Sequence, residues 1–201
     1  MHSEPAPTDL GKILLPIARS AISSVLGIAF DADEGASWLQ EKGACFVTLI
    51  QNQELRGCIG TLVAHRSLLV DLKANAQAAA LRDPRFSPLK AAELDRVQIE
   101  ISLLSAIQPL QFANEQDALA QLQPGVHGVV LEAGRLHSTF LPQVWEQFPN
   151  VSKFMDSLKY KAGLPPDYWS EAVRLSCYTV SKWKESDYPE SSDSNKKGWR
   201  I

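Results

Sequence analysis

The chain has 201 residues, of which 45% are hydrophobic and 21% charged, with a formal net charge of −3 and a sequence pI near 5.8. That length suits one domain, or two small lobes sharing a core, and the composition is that of an ordinary globular protein. The acidic balance argues against a nucleic-acid binder, which usually carries a basic patch or a pI above about 9, and no apolar run reaches the roughly 20 residues of a membrane span.

Residues 1–8 read as a loose arm without the basic segment of a signal peptide, so a cytoplasmic location is expected. From Asp9 the apolar residues Leu10, Ile13, Leu14, Ile17, Ala21, Ile22 and Val25 recur at helical spacing. Thr8 or Asp9 can cap this helix, and Pro16 predicts either a kink or a later start. Ala44 to Ile50 is rich in β-branched and aromatic residues. Gln51 to Glu54 reads as a turn and Leu55 to Leu62 as the returning strand of a hairpin.

Leu68 to Leu81 is a predicted helix with Leu68, Leu72, Ala76 and Ala79 on one stripe and Asn75 at its border. A buried Asn75 must be hydrogen-bonded, because an unpaired amide costs about 1–3 kcal/mol. Pro84 ends the helix. After a short turn at Glu93 and Leu94, Val97 to Ile107 is a strand with alternating apolar positions. Asn114 caps a short helix through Leu122. Val126 to Glu132 and Arg135 to Leu141 form a second hairpin, and Pro142 opens the following turn of helix. Asn150 to Lys161 is a helix stopped by Gly163 and Pro165, and one last strand runs from Ala172 to about Trp183. From Glu185 the composition is that of a disordered tail. Helices alternating irregularly with hairpin-linked strands predict an α+β fold with mainly antiparallel sheet and packed helices, as a domain over 9–184.

The densest chemistry lies in Arg56-Gly57-Cys58-Ile59-Gly60. On an extended strand Arg56 and Cys58 share one face, so the guanidinium could reach the sulfur and favour thiolate. Gly57 and Gly60 would leave backbone open to a ligand. The competing reading is a buried cysteine in a sheet, with packing glycines and an Arg56 paired to a carboxylate. Asp83 could pair Arg56 or orient a ligand, and Arg85 could hold a carboxylate or phosphate; the same loop could instead simply cap the helix. His127, alternating with Val129 and Leu131, is either a core histidine or a general base for Cys58. His137 and Glu132, and the aromatic Trp145, Phe148 and Trp169, are weaker candidates.

The odd count of three cysteines, Cys45, Cys58 and Cys177, without C-x-x-C fits reduced thiols rather than structural zinc. No metal or cofactor is expected, and nucleotide-binding and serine-hydrolase motifs are missing.

The runs Cys45 to Leu49 and Leu55 to Thr61 resemble the signature of the AMMECR domain family, whose prokaryotic members are called AmmeMemoRadiSam system protein A. The resemblance continues through Asp83-Pro84-Arg85-Phe86, Ile101 to Leu104, Gly125 to Val129, Phe140 to Val144 and Lys161 to Leu164. It implies a two-lobed α+β domain whose sheet uses both ends of the chain. It also implies association with a Memo-type protein and a radical SAM protein. This chain lacks C-x-x-x-C-x-x-C and is not itself the radical SAM member. The expected site is Cys58 as nucleophile or carrier, with Arg56, Gly57, Gly60, Asp83, Arg85 and His127 lining a binding surface for a protein or an unspecified small molecule. The alternative is a non-catalytic docking module using the same residues.

Overall fold

The computed structural model describes residues 7–188. These fall into two compact units. One runs up to Leu104 and resumes at Ser181; the other is Ser105–Val180.

The first unit opens with helix α1 (Pro7–Val25), which carries Pro16 inside it. The helix starts before Asp9, and Pro16 does not delay it. Strand β1 (Ala44–Gln51) and strand β2 (Glu54–Gly60) form an antiparallel hairpin. Asn52 and Gln53 both take positive φ, 53° and 66°, as a two-residue turn with the twist of the flanking strands requires. Helix α2 (Leu68–Leu81) starts at Ser67, whose side chain accepts from Val70 N–H. A single-turn helix (Ala91–Arg96) leads into β3 (Val97–Leu104), which pairs antiparallel with β1.

The apolar face of this sheet supplies Val47, Leu49, Ile99 and Ile101, which pack with Leu14, Ile17, Ile22, Leu72, Ala76 and Ala79 of the two helices. Each of these is no more than 1% exposed, which is the arrangement that takes the most apolar surface from water. The polar linker 31–42 also contributes, because Leu39 of the short helix Ser37–Gln40 is fully buried.

The second unit holds β4 (Gln108–Pro109), α3 (Glu115–Gln121), β5 (Gly128–Ala133), β6 (Leu136–Phe140), a short helix (Pro142–Glu146), α4 (Val151–Lys161) and β7 (Val173–Tyr178). Asn114 caps α3 as expected, and Asn150, expected as the first residue of its helix, is the cap of α4. Phe154, Met155 and Leu158 of α4 pack on Val129, Leu131 and Leu175.

The expected single last strand is two strands. β7 ends at Tyr178 in the sheet β4-β7-β5-β6, while β8 (Val180–Lys184) joins the first sheet, in the order β2-β1-β3-β8. Residues 173, 175 and 177 are buried in alternation, but Tyr178 is buried as well and Thr179 and Ser181 are exposed before Trp183 is buried again, so the pattern lapses where the chain changes sheets. The crossing is fixed by Thr179, whose N–H donates to the Ser105 hydroxyl at 3.0 Å and whose carbonyl accepts from Ser105 N–H at 2.9 Å.

Glu185 belongs to the folded unit rather than to the tail assigned to it from composition. It pairs with Arg19 and accepts Ile99 N–H at 2.8 Å, while Arg19 also donates to Leu94 O and Val97 O. The rest of the expected tail, from residue 189, and the arm before residue 7 lie outside the described residues. Among the described residues no helix is long and apolar enough to cross a membrane.

Candidate functional site

The hairpin that carries Arg56 and Cys58 is not regular. Leu49 faces Gly57, but Ile50 faces Leu55, so Arg56 is the extra residue of a β-bulge. A bulge re-aims the side chain it inserts. Arg56 accordingly turns to Glu93, with Nε and Nη2 at 3.2 and 3.3 Å from the carboxylate, and Nη1 donates to Ser87 O at 3.0 Å. The expected reach of Arg56 to the Cys58 sulfur is therefore corrected: strict alternation fails at the bulge, and the cation is matched to a carboxylate. Arg56, with the Lys90 N–H next, holds the Glu93 carboxyl below its usual range.

Cys58 stands in register with Thr48. Its thiol is half-buried, and Sγ accepts from the Thr48 hydroxyl at 3.3 Å. β2 is an outer strand, so the backbone of Cys58 needs partners from outside the sheet. Asp83 and Arg85 provide them. The Asp83 carboxylate accepts Cys58 N–H at 2.8 Å, and Arg85 Nη2 donates to Cys58 O at 3.2 Å. The two side chains are also joined to each other, with Arg85 Nε at 2.9 Å and Nη2 at 2.7 Å from the carboxylate. Bidentate arginine–carboxylate pairing of this kind fixes geometry as well as charge. The guanidinium of Arg85, with the Cys58 N–H after it, holds the Asp83 carboxyl well below the usual range. Asp83 thus pairs Arg85, not Arg56.

The two glycines serve packing. A Cβ on Gly57 would lie 2.2 Å from the Ala79 carbonyl oxygen, and one on Gly60 would lie 2.2 Å from the Phe46 ring. Helix α2 and the Phe46 ring already occupy the space that open backbone would offer a ligand.

His127 lies in the turn ahead of β5 rather than on the strand. Its Nδ1 accepts from Gln123 N–H at 3.2 Å, and its carbonyl takes the Trp145 indole N–H at 2.7 Å. It belongs to the second unit, while Cys58 belongs to the first. Glu132 and His137 face each other across the β5–β6 hairpin, both exposed. Trp145 stacks on Phe154 within the second core. Trp169 lies 5.6 Å from Lys159 Nζ, and that buried ammonium also donates to Glu115 at 2.6 Å and to Pro166 O.

Two groups escaped sequence reasoning. Asp71 is fully buried; its carboxylate accepts from Cys45 N–H at 2.9 Å, Thr61 Oγ1 at 2.8 Å, Arg66 Nε at 2.8 Å and Asn75 Nδ2 at 2.9 Å. Its signal was present as the i, i+4 pair with Asn75, since such pairs share a helix face. Burial, followed by the Asp71 charge, pushes the Cys45 thiol far up, and burial raises Cys177 to about 11. The second group is a polar row. Thr48 faces both Cys58 and Glu100 across the sheet, and Glu100 is ion-paired to Lys182 at 3.4 Å and Lys184 at 3.2 Å. Nothing in the sequence places β8 beside β3. Among the described residues no three His, Cys, Asp or Glu side chains gather as a metal site.

The AMMECR1 family profile matches residues 15–183. The chain belongs to the AMMECR1 family. It is 36% identical over 172 residues to a protein of Methanothermobacter thermautotrophicus, covering 83% of this chain and 89% of the relative. It is 31% identical over 180 residues to Protein MJ0810 of Methanocaldococcus jannaschii, covering 87% and 90%. The crystal structure of the uncharacterized protein PH0010 from Pyrococcus horikoshii superposes with a TM-score of 0.72 at 29% identity, covering 88% of this chain and 91% of that one. The AMMECR1 assignment thus spans both units, including β2 and the Asp83–Arg85 loop.

Proposed function

We propose that this AMMECR1-family chain is a docking component that works in the cytoplasm with a Memo-type protein and a radical SAM protein, through the surface around Arg85 and Cys58. The partners follow from the family resemblance, and the three unpaired cysteines suit a reducing compartment. The observation that carries the docking reading is the state of the would-be activators of Cys58. Arg56 is matched to Glu93 and Asp83 to Arg85, and the Thr48 hydroxyl donates to the sulfur, which also interacts with the Arg85 guanidinium. Among the described residues no imidazole or carboxylate is hydrogen-bonded to the thiol to take its proton, whereas Arg85, with its side chain 54% exposed, offers a cation to an anionic group of a partner or small molecule.

Co-purification of the chain with the Memo-type protein encoded in the same organism tests this. Arg85→Ala should weaken the complex about tenfold or more, which corresponds to about 1.4 kcal/mol, and Cys58→Ser should leave it intact. Absence of any complex with the native chain would defeat the proposal. The half-exposed Cys58 supports a second reading, a thiol carrier or nucleophile. That reading requires Cys58→Ser to abolish a measured activity while leaving complex formation and stability unchanged.

A further inference from the structure

The outer edge of β2 is covered by the segment from Asp83 to Glu93, and the fastening has an unusual form. Four side chains make it. Asp83 and Arg85 take the N–H and C=O of Cys58. Arg56, turned outward by the bulge, takes Ser87 O and the Glu93 carboxylate. Each of these bonds runs through a side chain, so none has the cooperativity of a strand ladder. An uncovered edge strand is a template for pairing with another chain.

We propose that this segment is an edge lock: it stands in for a neighbouring strand along β2, and its release lets β2 pair with the β2 of a second copy of this chain. A second copy is the occupant that the geometry fits best. Cys58 presents both its donor and its acceptor outward, so two copies can meet antiparallel about a two-fold axis with Cys58 opposite Cys58. In a pair that exchanges both hydrogen bonds the Cα atoms stand about 5.5 Å apart. That distance falls within the range of about 4.4–6.8 Å that a disulfide spans. The thiol of the locked residue therefore reports on the pairing. Arg85, with over half its side chain exposed, is the member of the lock most accessible to a competing anion.

The test uses the full chain, with Arg85→Ala and the double variant Arg56→Ala/Arg85→Ala compared with the unaltered protein by sedimentation equilibrium. The unaltered chain should be monomeric through this edge. The double variant should dimerise with an affinity raised about tenfold or more, and Arg85→Ala should fall between. An added oxidant that takes the two thiol hydrogens should then give a covalent Cys58-to-Cys58 dimer in the variants, absent when Cys58→Ser is added. Folded variants that stay monomeric overturn the proposal. So does a dimer that yields no Cys58 cross-link, or an unaltered chain that cross-links as readily as the variants. If the double variant does not fold, Arg85→Lys, which loses the bidentate pair but keeps the charge, carries the same test.

Discussion

Replacing Gly57 by alanine separates a glycine kept for packing from one kept for ligand approach. The added Cβ would stand 2.2 Å from the Ala79 carbonyl oxygen and 3.1 Å from its carbon, roughly 1 Å or more inside ordinary contact. The obstacle is backbone within a helix, so no side-chain rotation relieves it, and β2 and α2 must separate. Ala76 and Ala79 line the buried face of α2; their small side chains are what allow the close approach, and moving the helix outward opens voids around Leu49 and Leu72. Overpacking of a filled core costs about 1–3 kcal/mol, and a rigid backbone obstacle belongs in the upper part of that range. For a chain of this size that lowers Tm by roughly 4–12 °C. Urea denaturation of Gly57→Ala, with hydrogen exchange read in α2, measures it. Gly35→Ala, whose Cβ meets only the movable Asp33 carboxylate, serves as the control. A Gly57→Ala protein within about 0.5 kcal/mol of the parent would refute the packing argument.

Three further outcomes are expected. Asp83 has a folded pKa depressed by Arg85 and the Cys58 N–H, below an unfolded value of about 3.9. Its stabilisation is therefore complete above that value and is lost as the pH falls below it; Asp83→Asn should flatten the acid limb of stability against pH, and an unchanged limb would exclude the pair as its source. Asp71→Ala strips four N–H and O–H donors of one buried acceptor and should cost about 3 kcal/mol or more by chemical denaturation; a loss under about 1 kcal/mol would mean that the network rearranges freely. In native buffer at pH 8 a thiol reagent should titrate Cys58 promptly, with Cys45 and Cys177 reacting only after denaturation, since burial raises both of the latter. Cys58→Ser should leave no prompt thiol, and a second fast-reacting group would contradict the burial.

Local signals sufficed for much of this protein. Helix α2 could be bounded at Leu68 and Leu81 because Pro84 ends it soon after its apolar stripe, and Asn114 marks a helix start because its side chain satisfies a free first-turn N–H group. The β1–β2 hairpin was legible because β-branched runs flank a short polar turn. The α+β class followed from those elements, and the motif Arg56 to Gly60 carried the family. What the chain could not disclose on its own is where each polar group finds its partner. A bulge of one residue turns Arg56 from Cys58 to Glu93, and a single residue at Thr179 divides what reads as one strand between two different sheets. The buried Asp71 becomes a hub only when Cys45, Thr61 and Arg66 fold around it. Periodicity reports which face of an element is dry, because burial repeats along the chain. Pairing across elements depends on register and crossing, which tertiary packing alone decides.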